Sequence, residues 1–191
     1  MIISDTHDNM HIIKKLLSIA SQIDPDMIIH CGDYISPFAV KAFKESNIRM
    51  IGVWGNNDGD KPTILRIIKE SRIDISPQPL ETKIGGIDIL VVHGWGSIEK
   101  TKRLIYSLAK QGTYKIIIYG HIHSPDIKIA KGEKVEDIHK LNKTFETKID
   151  EFKTMILNPG EACGYVTGKS TYMLMEIDNQ SIKVSLKEIQ A

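Results

Sequence analysis

Five short apolar runs, each running straight into a polar motif, constrain this chain more than any other feature. Met1–Ser4 leads into Asp5-Thr6-His7, Met27–His30 into Gly32-Asp33, and Ile48–Val53 into Gly55-Asn56-Asn57-Asp58. Ile87–Val92 leads into His93-Gly94, and Ile116–Tyr119 into Gly120-His121-Ile122-His123. Runs this short, bounded by Gly, Pro or Asp, read as strands. Amphipathic helices are predicted between the first three, over Met10–Gln22 and Pro37–Ser46. In the first, Ile12, Ile13, Leu16, Leu17 and Ile19 share the apolar side. In the second, Ser36 is placed to cap and Pro37 occupies the first helical position. Further helices are expected at Pro62–Ser71 and Ile98–Lys110, and a final hairpin joins Tyr172–Ile177 to Ile182–Leu186 across Asp178-Asn179. Alternating βα units followed by β-rich segments predict stacked layers with helices outside. A ligand site in such a fold forms beyond the carboxyl ends of the strands, where all five polar motifs fall.

The motifs share one chemistry. Asp5 and His7, like His121 and His123, stand at i and i+2, a spacing that puts both side chains on one side of an extended backbone. Imidazoles and carboxylates gathered at several strand ends suit two divalent metals. Each motif alone has a plainer reading. Asp5 could cap a helix, Asp33 could be a turn residue and Gly55–Gly59 a flexible turn. His30 reads as a core histidine, and His11 and His139 as surface positions on helices. Five such motifs at five strand ends outweigh the separate readings.

Composition bounds the alternatives. At 191 residues, with 41% hydrophobic and 26% charged, the chain reads as one soluble domain. A net charge of +1 supplies no field for nucleic acid or an anionic membrane, and neither is expected as a partner. Cys31 and Cys163 form no CxxC pair, and no apolar run is long enough to span a membrane, so a cytoplasmic setting is expected.

One stretch breaks the pattern. Lys131–Lys153 is about half charged, yet Val135, Ile138, Leu141, Phe145, Ile149 and Phe152 recur at steps of three or four. That periodicity predicts an amphipathic helix, lying on its own domain, pairing two subunits or covering the site. We expect a homodimer with this helix at or near the interface.

The order D-x-H, G-D, G-N-x-D, H-G, G-H-x-H, followed by Asn158-Pro159-Gly160, resembles the calcineurin-like metallophosphoesterase superfamily, and more narrowly its small archaeal and bacterial phosphodiesterase branch. The resemblance covers nearly the whole chain. It implies a four-layer α/β/β/α sandwich of two mixed sheets, a single domain over 1–191 with the 131–153 helix as an insertion. It also implies that Asp5, His7 and His123 hold a first metal, that Asp33 bridges, and that Asn56, His93 and His121 complete a second. Mn²⁺ is the first choice, and Ni²⁺, Fe²⁺, Co²⁺ and Zn²⁺ suit the same mixed donor set. The implied reaction is in-line attack of a metal-bridging hydroxide on a small phosphate ester.

Three positions depart from the family pattern. Asn57 stands where the large phosphatases carry a histidine that helps the leaving group depart, and an amide supplies no proton. Phosphodiesters with good leaving groups are therefore expected ahead of phosphomonoesters. Trp95 replaces a histidine common in small members, and the 131–153 segment is additional. Asp58 is a candidate to orient Asn56 or His7. The alternatives are a phosphomonoesterase, or a protein-binding scaffold like the retromer-type members of the fold. An amidohydrolase barrel would need a longer chain.

Overall fold

A computed structural model of the chain describes residues 1–138, 141–178 and 180–190; His139 and Asn179 lie outside them. The first half runs β1 (Ile2–Ile3), α1 (Met10–Ile23), β2 (Ile28–His30), α2 (Pro37–Ser46), β3 (Met50–Val53), α3 (Lys61–Ile68) and β4 (Ile73–Ser76). Next come β5 (Leu80–Ile84), β6 (Ile87–Val92), α4 (Ile98–Gln111), β7 (Ile116–Tyr119), β8 (Pro125–Lys131), β9 (Lys134–Asp137) and β10 (Thr144–Lys148). A short 3₁₀ turn (Ile149–Glu151) precedes β11 (Thr154–Pro159), β12 (Thr171–Ile177) and β13 (Ser181–Glu188).

Two sheets form, ordered β10-β13-β12-β1-β2-β3-β4 and β5-β6-β7-β11-β8-β9. Within them β1 to β4 are mutually parallel, as are β6, β7 and β11, while the remaining pairings are antiparallel. The period-two alternation of the strands builds the layers. Ile2, Ile29, Ile89, Val91, Ile116 and Ile118 meet between the sheets. Their neighbours Ile3 and Ile28 face α1, α2 and α3 on one outer side. Leu90, Val92, Ile117 and Tyr119 face Ile105 and Ala109 of α4 on the other. The result is the expected α/β/β/α sandwich. No helix among the described residues is long and apolar enough to cross a membrane.

The caps explain where helices begin. Ser36 accepts from Phe38 N at 3.2 Å, with Pro37 following. Asn9 rather than Asp5 caps α1, its Oδ1 accepting from Ile12 N at 3.3 Å, which leaves the Asp5 carboxylate free for other work.

The helix expected over 131–153 is not there. Its described residues form the β8–β9 turn, β9, β10 and the 3₁₀ turn. Gly132 turns the chain between β8 and β9 with φ of +61°, a left-handed geometry that glycine adopts without a Cβ penalty. Lys134 then pairs with Lys131, and Phe145 of β10 pairs with Val184 of β13. Apolar residues of two separate strands and the 3₁₀ turn reproduce steps of three and four by accident of spacing. The apolar stripe is also divided. Val135 packs toward α4, whereas Ile138, Leu141, Phe145, Ile149 and Phe152 join the core between the sheets. These side chains face their own domain, which removes the basis for a dimer built on this segment. Pro62–Ser71 is similarly shorter than expected, because the chain leaves α3 at Ile68 and forms β4 from the alternating Ile73 and Ile75.

Candidate metal centre

The loops leaving β1, β2 and β3 in one sheet and β6 and β7 in the other converge on one edge of the sandwich. Backbone hydrogen bonds lace them together: Asp5 N to Gly32 O (3.1 Å), His7 N to Asp33 O (3.1 Å) and Gly120 N to His93 O (3.0 Å). Asp5, His7, Asp33, His121 and His123 all have left-handed backbones, with φ between 42° and 70°. Non-glycine residues rarely adopt this region, and functional sites are where such strain is retained.

At the centre lie side-chain atoms with no conventional partner. Asp5 Oδ2 accepts from the Ser4 hydroxyl and from His121 N (3.1 Å), while Oδ1 is buried and unpaired. It stands 3.8 Å from His7 Nε2, itself buried and unpaired, and 3.6 Å from His123 Nε2. The His123 Nδ1 donates to Glu161 Oε2 at 2.8 Å, so its Nε2 presents a lone pair toward Asp5. The donor atoms of Asp5, His7 and His123 lie within 4.8 Å of one another, as do those of Asp5, Asp33 and His93. Mutually facing, with Asp5 Oδ1 and His7 Nε2 buried and unsatisfied, these atoms fit a cation.

Asp33 lies between the two groups. Its Oδ2 is 3.4 Å from His7 Nε2 and 3.5 Å from His93 Nε2. His93 turns Nδ1 to the Cys31 carbonyl (2.8 Å), leaving Nε2 beside Asn56 Oδ1 (2.9 Å). His121 packs edge-on against His93, with centroids 5.1 Å apart, but its Nε2 meets the Gly96 carbonyl at 2.6 Å. His121 is in neither of these groups of close donors among the described residues.

Asn57 grips Asp33 from both ends, backbone N to Oδ1 (2.9 Å) and Nδ2 to Oδ2 (2.7 Å). Asp58 does not orient Asn56 or His7 as expected from the sequence. It accepts from the backbone N of Asp33 (3.1 Å), Ile35 (2.8 Å) and Gly55 (2.7 Å), and so fixes the loop that carries Asp33. Burial pushes its carboxyl above the usual range against the pull of these donors. Burial also opposes ionisation of Asp5, but His7, His93 and Ser4 bring that carboxyl below the usual value. The Asp5 carboxylate in turn raises His7.

Two further residues shape the centre without a motif to announce them. Gln78 accepts from His93 N (2.9 Å) and Gly94 N (3.1 Å) and donates to Gly94 O (3.1 Å), fixing the His93 backbone. Glu161 holds His123. Burial would raise the Glu161 carboxyl, but His123, Thr167 and Cys163 hold it down to about 2.

His30 sits beneath the centre, stacked on Tyr34 with centroids 3.9 Å apart. Gly32 N donates to its Nδ1 (3.1 Å), so Nε2 carries the hydrogen toward Thr6 Oγ1 (3.1 Å). Burial pushes this imidazole down to about 3, from 6.5 when exposed. Below pH 6.5 the unfolded chain gains a proton that the folded chain refuses, so stability falls with pH through this window and levels near pH 3. The slope due to His30 should approach about 1.4 kcal/mol per pH unit. His30→Asn retains an acceptor for Gly32 N and should lose that slope, as compared by urea denaturation of both proteins at several pH values.

Fold and donor set together define a phosphoester-hydrolase scaffold with a metal-competent centre. The calcineurin-like phosphoesterase superfamily domain matches residues 1–180, and the chain belongs to that superfamily. It is 28% identical over 183 residues to phosphodiesterase MJ0936 of Methanocaldococcus jannaschii, covering 95% of each protein. It is similar to the solved structure of an archaeal phosphodiesterase, with 26% identity, a TM-score of 0.71 and 97% of each chain covered. The Zn²⁺ complex of Vps29 from Entamoeba histolytica shares the fold, with a TM-score of 0.58 at 18% identity over 98% of this chain and 96% of that one.

Proposed function

We propose that this protein is a dinuclear, metal-dependent phosphodiesterase. The observation that carries the reading is the pair of buried, unpaired atoms, Asp5 Oδ1 and His7 Nε2, facing His123 and Asp33. Asp5, His7 and His123 would hold one ion, Asn56, His93 and His121 the other, with Asp33 shared. Ions held there would supply Lewis acidity and a water acidic enough to be a nucleophile near neutral pH.

The chain's own residues set the charge and the proton chemistry. Asp5 and Asp33 return two negative charges to a centre of two dications, and Asn56 adds none. The positive excess favours a phosphate anion and the added charge on its equatorial oxygens in the transition state. The amide of Asn57 keeps Asp33 in place and has no proton to give the departing oxygen. Asn56 and Asn57 are exposed, so water reaches the leaving group from that side. Diesters with stable leaving groups, such as aryl phosphodiesters, follow as the favoured class, and Mn²⁺ is the proposed ion.

Hydrolysis of bis-aryl phosphate with and without Mn²⁺, and after chelation, tests the reading. Turnover that ignores chelation, or an ion-loaded protein without turnover, would overturn it; the latter would favour a scaffold. Asn57→His should raise turnover of poor-leaving-group esters relative to aryl diesters. Parallel loss on both substrates would instead show that the Asn57–Asp33 hydrogen bonds dominate at this position.

A further inference from the structure

Glu161 follows Asn158-Pro159-Gly160 at the end of β11 and is wholly buried, although it carries a carboxylate. Its backbone N donates to His123 O at 3.0 Å, and its Oε2 receives His123 Nδ1 at 2.8 Å, so it holds that histidine twice. The same carboxylate accepts from Val166 N (3.0 and 3.1 Å), Thr167 N (2.5 Å), Thr167 Oγ1 (2.7 Å) and Cys163 Sγ (3.1 Å). A carboxylate offers about four lone-pair positions, and these donors occupy them. Glu161 is therefore filled from the protein side. It is no ligand in its own right, although its oxygen clusters with donor atoms of His123 and Cys163.

The loop held in this way presents Tyr165 and Val166 to solvent at 64% and 70% exposure. Val166 N and His123 Nδ1 share Glu161 Oε2, which keeps them within roughly 6 Å of each other.

We propose that Glu161 is a positioning residue that fixes the tautomer and ring plane of His123 while locking the Val166–Thr167 backbone, coupling occupancy of the first metal position to the order of the adjoining loop. The proposal rests on His123 being a metal donor. With Nδ1–H committed to a carboxylate, Nε2 keeps its lone pair and its aim at the point shared with Asp5 and His7. An ion bound at Nε2 makes Nδ1–H a stronger donor. The tightened His123–Glu161 contact then restrains the carboxylate that the loop amides depend on.

Glu161→Gln keeps the size but turns an NH₂ group toward donors. Mn²⁺ titrated calorimetrically into metal-free protein should show two ions in the wild type, and in the variant one of them weakened about 10- to 100-fold with the other unchanged. Hydrogen exchange at the Val166 and Thr167 amides should be faster in the variant. In the wild type Mn²⁺ should slow it, a measurement that needs no variant to fold. Unchanged affinity for both ions, equal weakening of both, or wild-type amides indifferent to Mn²⁺ overturns the proposal alone. A wild-type protein that binds no Mn²⁺ overturns the metal-centre reading and the proposal with it.

Discussion

Asp33→Asn should lower Mn²⁺-dependent diester hydrolysis by a factor of about 10³ or more, on the scale of removing a principal transition-state electrostatic group. The carboxylate is the one group within 3.5 Å of both His7 Nε2 and His93 Nε2 among the close pairs of the centre. An amide is neutral, so its oxygen would hold two dications far more weakly than the carboxylate oxygen that faces both histidines. Its NH₂ group would also face either the Asn57 backbone N or Asn57 Nδ2, since both now donate to Asp33. The measurement is kcat at saturating Mn²⁺ together with the number of ions bound. Activity within tenfold of wild type would remove the bridging role.

Gly55→Ala should be nearly as damaging, for a steric reason. A Cβ at this position would lie 2.1 Å from Asp33 Oδ1 and 2.4 Å from Asp33 N. Neither neighbour can retreat freely, because Asp58 Oδ2 binds Asp33 N and Gly55 N at once. Overpacking of this kind costs about 1–3 kcal/mol and sometimes more, and here the relief must displace the shared carboxylate. Urea denaturation should show a loss of about 3 kcal/mol, and Mn²⁺-dependent turnover should collapse with it. A variant of wild-type stability and activity would mean that Asp33 sits elsewhere in the working enzyme.

Much of the architecture was legible because it is local. Pro37–Ser46, Ile87–Val92 and Ile116–Tyr119 form where the sequence places them, each bounded by residues that cap or break. The clustering of Asp5, His7, Asp33, His93 and His123 was equally legible, since motifs at the ends of parallel strands share an edge whatever the order of the strands. The misreading at 131–153 came from trusting periodicity over punctuation. Gly132, with φ of +61°, and Asn142, with φ of +57°, are turn residues inside a stretch read as continuous. Asp58 was assigned to side chains and serves backbone amides instead. Glu161 and Gln78 carried no local signal, because each acts on a residue distant in sequence, 38 positions away at His123 and 15 at His93. Such contacts exist only once β7 and β11, and β5 and β6, lie side by side in the sheet that is stacked on the other.

That stacking has a mechanical consequence. Asp5, His7, Asp33 and Asn56 descend from one sheet, whereas His93, His121 and His123 descend from the other. An ion gripping both sets acts as a rivet at one open edge of the sandwich. Unfolding would have to strip it, so stability should rise with free Mn²⁺ if that ion binds, by about 2.7 kcal/mol at a hundredfold excess over Kd. A chelator should lower the melting temperature correspondingly. Amides at the carboxyl ends of β1, β2, β6 and β7 should exchange sooner than those at the opposite edge, as though a book had been unclasped.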